Sequence, residues 1–213
     1  MALIKTKFSE VPLDAIILTE NDAFKYETEI LQNWEKGNDV WAYRYGKFVL
    51  AAISGFVGGY LNSHYRLKVR LFSYGRIASY LSTITIPSVT CLFFHDQFVL
   101  RGVVLQNECP VCLQLRAAAF QTFAGVVAPS LLAPFASFSL ALRYGTYDVP
   151  YVTKEPLKAF KFWQSKTRPI GNILFAIFLG QALAGALVTH LEARSVFNVN
   201  NELLKLDKSL NNT

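Results

Sequence analysis

Charge is the scarcest property of this sequence. Asp, Glu, Lys and Arg make up 17% of its 213 residues and hydrophobic residues 52%, against about 25% and about 45–50% in an average soluble domain. A chain this apolar is neither intrinsically disordered nor collagen-like, and 3 cysteines are too few for a disulfide-dense secreted scaffold. Phosphate-cradling motifs are missing as well: there is no Gly-x-x-x-x-Gly-Lys loop and no Gly-x-Gly-x-x-Gly after a strand. The histidines, His64, His95 and His190, are scattered with no pair at ligand spacing, so no metal or other cofactor is expected and no catalytic residue stands out.

What charge there is avoids four blocks. Phe48 to Leu61, Ile77 to Phe94, Ala117 to Leu142 and Ile170 to Thr189 contain no Asp, Glu, Lys or Arg. A soluble core helix tolerates a charge on its outer face every turn or two, whereas a span needs about 20 apolar residues to cross a hydrocarbon layer about 30 Å thick. The blocks predict an all-α, polytopic membrane protein with four transmembrane helices near 46–63, 77–94, 117–142 and 170–190. An acidic, amphipathic segment, 1–43, precedes the transmembrane domain, 44–190, and a polar tail, 191–213, follows it. Pro129 and Pro134 predict a tilted or kinked third span.

Ion pathways and proton relays place ionisable groups inside spans at roughly 2.5–3.5 kcal/mol each, and their absence here disfavours a pump or small-solute carrier. Small residues recur instead: Gly55 and Gly59 in the first span, Ala124 and Ala128 in the third, and Ala176, Gly180 and Ala184 in the fourth. Such faces let helix backbones approach closely. Packing of the bundle on itself is the plainer account, and docking of another membrane protein the sharper one. In the second span Ser79, Ser82, Thr83, Thr85, Ser88 and Thr90 surround Pro87, and their hydroxyls are expected to satisfy the carbonyls that the proline frees.

Sorted by loop, the net charge of +6 becomes a statement of orientation. Arg66, Lys68, Arg70 and Arg76 in the first loop and Arg143, Lys154, Lys158, Lys161, Lys166 and Arg168 in the third are set against only Asp148 and Glu155. Glu10, Asp14, Glu20, Asp22, Glu27, Glu29, Glu35 and Asp39 gather before the first span. The Lys/Arg bias puts the first and third loops on the inside and both termini and the Cys109 loop on the other side, although Arg44 and Lys47 oppose it. Basic residues beside spans suit anionic headgroups, so no nucleic-acid partner is expected. The first 40 residues are acidic and carry no recognisable targeting pattern. Thr19-Glu-Asn-Asp22 is a helix-opening capping box, after which Ala23, Tyr26, Ile30 and Trp34 share one face until Gly37 stops the helix.

Cys109-Pro-Val-Cys112 is the one chemically pointed motif. A Cys-x-x-Cys at a helix N-terminus suits redox chemistry because the helix dipole favours the thiolate, and a helix with Arg116 follows, but no βαβ pattern surrounds it. Leu113 stands where haem attachment needs His. Zinc would need two further ligands, and Cys91, His95 and Asp96 match no common spacing. A local disulfide, two reduced thiols and a redox pair all stay open.

Cys109-x-x-Cys112, Arg116, the long apolar helix with Pro129 and Pro134, and Ala141-Leu-Arg-Tyr144 form an ordered series. Arg76-Ile-Ala and Ile86-Pro87 precede it and Lys166-x-x-Pro169 follows. The series resembles the transmembrane protein 126 family over about the middle and C-terminal two-thirds of the chain. The resemblance implies a non-catalytic assembly factor of the mitochondrial inner membrane. Such a protein binds membrane-arm subunits and intermediates of respiratory complex I together with other complex I assembly factors. It also makes the inside the matrix and places both termini and the Cys109–Cys112 loop in the intermembrane space, where a disulfide is permitted. Gly55, Gly59, Ala176, Gly180 and Ala184 would then offer grooves to a client helix, and the basic loops would meet membrane lipids, cardiolipin among them. The rival of a different class is a membrane thiol-disulfide oxidoreductase using Cys109 and Cys112.

Overall fold

The computed structural model describes residues 18–150 and 155–211, so Glu10, Asp14 and Lys154 lie outside the described residues. Every regular element among these is a helix. Helix α1 spans Glu20–Asn33 and α2 Gly37–Lys68. Two further long rods follow, α3 over Arg76–Leu105 and α4 over Pro110–Tyr144. Each contains one π-helical turn, Asp96–Leu100 in α3 and Phe123–Val127 in α4. Helix α5 covers Pro156–Thr167, and a 3-10 turn, Arg168–Ile170, leads into α6, Gly171–Asn211.

Thr19 opens α1 as expected, its hydroxyl accepting the Asp22 N–H at 3.3 Å. The helix ends at Asn33, and Gly37 is the first residue of α2 rather than the stop of α1. Its inner face is also rotated from the expected one: Leu31 is buried and Phe24, Ile30 and Trp34 pack on the core, while Tyr26 is exposed. Arg44 Nη2 donates to the carbonyls of Leu31 (3.3 Å) and Trp34 (2.8 Å), satisfying C-terminal groups of α1 that the helix itself cannot pair.

Helix α2 runs through the middle of the bundle, against α3, α4 and α6. At one end Leu31, Tyr43, Val103, Leu113 and Val196 form a cluster, and at the other Leu61, Tyr65, Leu71, Ala141 and Ile170 do so. Leu50, Cys91 and Ala124 lie between them. The first and third loops therefore share one end, and α1 and the Cys109–Cys112 turn share the other.

Three stretches are long and apolar enough to cross a membrane: Arg76–Leu105, Pro110–Tyr144 and Pro156–Leu206. The span expected at 46–63 is not among them. Gly46, Ser54, Gly55, Gly58, Gly59 and Asn62 dilute its apolar run, and a helix walled in by three others needs less apolar surface. Outward-facing side chains are nonetheless apolar around the bundle, with Phe56 79% and Ile77 83% exposed. Helix α6 does not stop near 190 but continues to Asn211, and Val196 and Val199 on this extension are buried beneath α1.

The prolines act through specific carbonyls. Pro129 can offer no N–H to Gly125, and the π-helical turn Phe123–Val127 lies where its ring would crowd that carbonyl. In α3 the hydroxyls around Pro87 bond other carbonyls than expected: Thr83 Oγ1 donates to Ser79 O at 2.8 Å, and Ser88 Oγ to Ile84 O and Ala51 O at 2.9 Å each. The carbonyl that Pro87 leaves free, by helical register, is that of Thr83. It lies so close to Gly58 that any Cβ there would collide with it.

Candidate functional site

The small-residue faces divide into one that is filled and one that is open. Gly55 faces Ser88 and Ile84 of α3, and Gly59 meets Ile84 at ordinary contact distance. This face is therefore an internal seam rather than the groove expected for a client. On α6, Ala176 and Gly180 are exposed, and a Cβ added at Gly180 would meet nothing within 4 Å. Ala184 packs half-buried on the Leu50, Cys91 and Ala124 cluster. The close approach of α6 to α4 is made by Gly185, whose Cβ would lie 2.9 Å from the Ala117 carbonyl.

The blocks are free of charge but hold buried amides that a search for ionisable groups passes over. Gln121 on α4 and Gln181 on α6 are both buried. Gln121 Nε2 lies 2.6 Å from Gln181 Oε1, 3.0 Å from Ser54 Oγ and 3.2 Å from Leu50 O, and donates among them. The Cys91 thiol donates to Gln121 Oε1 at 2.9 Å. One amide thus joins α2, α3, α4 and α6 in the bundle centre, where hydrogen bonds between helices specify register. Gly125 makes the room, since a Cβ there would press on the Gln181 amide at 2.6–2.9 Å.

A second polar knot lies toward the α1 end. His95 Nε2 donates to the Glu192 carboxylate, whose oxygens are 2.9 and 3.0 Å away, and the two side chains are 4% and 0% exposed. Lys47 and Asp96 pair beside it at 2.8 Å. That partnership absorbs Lys47, one of the two cations that opposed the charge bias. Glu192 falls in the stretch expected to be a polar tail.

At the opposite end the basic residues differ in role. Arg66 is buried, not a free loop cation: Nη1 donates to Ser79 Oγ (2.8 Å) and Gly75 O (3.4 Å), and Nη2 to Phe72 O (2.7 Å) and Tyr74 O (2.9 Å). It closes a turn in which Arg70, Phe72 and Gly75 have φ of 55°, 42° and 56°. Lys166 Nζ donates to the Tyr147 hydroxyl at 3.1 Å and sits over the Tyr147 and Phe162 rings. Lys68, Arg70, Arg76, Arg143, Lys158, Lys161 and Arg168 remain exposed. Helix α5 buries no residue and turns Leu157 and Phe160 outward beside Lys158 and Lys161. Phe160, Lys161, Trp163, Gln164 and Arg168 line an open groove of about 760 Å³ where it meets α6. An amphipathic, basic helix of this kind suits a membrane surface.

Cys109 caps α4, with Pro110 in its first turn, and both Cys109 and Cys112 are exposed and unbridged. Its place beside the first-turn N–H groups of Cys112 and Val111 and the Cys112 thiol holds the Cys109 pKa below the ordinary thiol value, while the neighbouring Cys109 raises that of Cys112. Arg116 and Glu108 form an ion pair at 2.7 Å beside them. Cys91 is buried in the bundle centre, and among the described residues no three His, Cys, Asp or Glu side chains gather as a metal site.

Glu27 on α1 was not singled out in the sequence, yet burial against Leu31, Val196, Val199 and Leu203 pushes its pKa up from 4.5 to about 7. Its Oε2 is buried without a partner. A carboxyl raised on folding favours the fold in its neutral form, so the seat of α1 on α6 is firmest at low pH and weakens as pH rises toward and through about 7. Protection of α1 amides from hydrogen exchange, corrected for the intrinsic rate, is expected to fall between about pH 5 and about pH 8. Glu27→Gln should flatten that dependence; an equal fall in the variant would locate the effect elsewhere.

A family model described as Transmembrane protein 126 matches residues 25–206. A Drosophila melanogaster protein described as "Transmembrane protein 126" is 40% identical over 201 residues, which cover 93% of this chain and 90% of that protein. No solved structure matches the chain.

Proposed function

The chain belongs to the transmembrane protein 126 family, and from that premise we propose that it is a non-catalytic assembly factor of the mitochondrial inner membrane. It binds membrane-arm subunits and intermediates of respiratory complex I together with other complex I assembly factors. Helix α2 is the fourth crossing helix on this reading, sheltered by α3, α4 and α6. The end carrying α5 and the exposed basic residues faces the matrix, where it meets cardiolipin and other anionic lipids. The end carrying α1 and Cys109 faces the intermembrane space.

The observation that carries the client-binding role is the outward face of α6. Ala176 and Gly180 form a shallow notch between the exposed side chains of Phe175, Leu179 and Leu183, and a helix in lipid gains most by packing where small residues let its backbone come close. The double substitution Ala176→Leu and Gly180→Leu fills the notch without touching the bundle. It is expected to reduce co-purifying membrane-arm subunits about tenfold, as removal of a close helix contact worth about 1–2 kcal/mol would. Complexome profiling of the substituted full chain, with its thermal stability as control, reads this. An unchanged co-migration pattern in a stable variant would overturn the assignment of the notch.

A further inference from the structure

Cys109 and Cys112 have no part in the assembly reading, and their placement differs from that of a structural staple. A disulfide between them would join the N-cap of α4 to a residue in its own first turn and so would fasten no second element to it. The chain between them is too short for a crosslink to restrict the unfolded state much. The stabilising bonds at this end are made by other groups: Arg116 pairs with Glu108 and donates to Phe98 O at 3.1 Å, and Arg101 engages Glu20 and Asn21 of α1. Both thiols are nevertheless exposed. They also stand in an ordered relation, one at the helix N-cap and the other three residues on, in the first turn.

We propose that Cys109 and Cys112 form a thiol-disulfide exchange site, with Cys109 the attacking and Cys112 the resolving residue, toward a disulfide carried by glutathione or by a cysteine-bearing partner protein. The Cys109 thiolate attacks one sulfur of the disulfide R–S–S–R, forming a Cys109–S–S–R mixed disulfide and releasing R–S⁻, which takes a proton from water. Cys112 then gives up its proton and attacks the Cys109 sulfur, expelling the second R–S⁻. The two cysteines lose two electrons to R–S–S–R, which becomes two R–SH, and the reverse sequence reduces the pair. The roles follow from position. Only Cys109 stands at the N-cap, where the unpaired first-turn N–H groups favour a thiolate, and thiolate character sets which thiol attacks. Cys91, buried and donating to Gln121, takes no part.

The proposal goes beyond the assembly reading and stands apart from it, because the test needs only the purified full chain in lipid nanodiscs. Incubated with glutathione disulfide, the unsubstituted chain is expected to lose two thiols and release two glutathione molecules per chain, with peptide mass spectrometry locating a Cys109–Cys112 bond. Cys112→Ser should accumulate glutathione on Cys109, and Cys109→Ser should acquire it on Cys112 about tenfold more slowly. Serine is itself a good N-cap, so Cys109→Ser keeps the helix start, and Cys112→Ser leaves the cap residue in place. Equal rates in the two variants would overturn the assigned roles, and stable glutathione on both cysteines of the unsubstituted chain would overturn the exchange site. In cells, alkylation-quenched Cys112→Ser should carry either glutathione or a covalently linked protein on Cys109, which separates the two sources. A variant carrying neither would overturn the proposal without affecting the α6 notch.

Discussion

Gly58→Ala is expected to be among the most damaging single-methyl changes in this protein. The added Cβ would collide with the Thr83 carbonyl oxygen, a backbone atom that cannot rotate aside. Overpacking of a tight interior typically costs about 1–3 kcal/mol, and the upper end applies here because relief requires moving α2 and α3 apart along the whole seam. The nearby Gly55 is a graded comparison. A Cβ there meets the Ser88 hydroxyl, a side chain that can turn away at the loss of its 2.9 Å bond to Ala51 O. Gly180→Ala is the control, with nothing in its path and a gain in helix propensity of about 1 kcal/mol at most. Thermal unfolding in one detergent should rank Gly58→Ala well below Gly55→Ala, with Gly180→Ala at or above the unsubstituted chain. Equal stabilities at 58 and 180 would mean that the two helices are not held this closely.

The same seam shows how far the sequence could be read. Its glycine spacing pointed to the right helix and to close packing, but to Gly55 and Gly59 rather than to Gly58. What makes Gly58 special is a carbonyl freed by Pro87 on another helix, and no pattern within α2 encodes that register. On α6 the every-fourth-residue stripe was followed along Ala176 and Gly180, which face outward, while Gly185 carries the contact with α4. The pairing of the first and third loops was legible because antiparallel helices return alternate loops to one end, and charge marks which loops they are. The inward turn of Arg66 was not, since its acceptors are carbonyls of a turn built from positive-φ residues. Gln121 and Gln181 were visible as amides inside apolar blocks, and only a reading confined to charge missed them. The family resemblance, carried by Cys109, Cys112, Arg116 and Tyr144, holds over most of the chain.

The greatest loss from removing one polar group is expected from Glu192→Ala. The substitution leaves His95 buried with its Nε2 unpaired, and breaking a buried pair from one side costs about 3–5 kcal/mol. Glu192→Gln keeps an acceptor and should cost less. The neighbouring Lys47–Asp96 pair is chemically similar and equally short, but its side chains are 28% and 43% exposed, so Asp96→Ala should cost no more than about 1 kcal/mol. Burial, not charge, sets the ranking. The two losses around His95 should also be strongly non-additive: once Glu192 is gone, His95→Ala removes an unsatisfied group rather than a bond, and the double substitution should be no worse than Glu192→Ala alone. The structural consequence is directional. Glu192 ties α3, just ahead of its π-helical turn, to the α6 extension, and that extension carries Val196 and Val199 beneath α1. Loosening the pair should therefore release α1 before the bundle centre, with hydrogen exchange rising first in Glu20–Asn33 and last around Gln121. Equal losses from Glu192→Ala and Asp96→Ala would instead mean that this end is held by its partly exposed charges, with the buried pair contributing little.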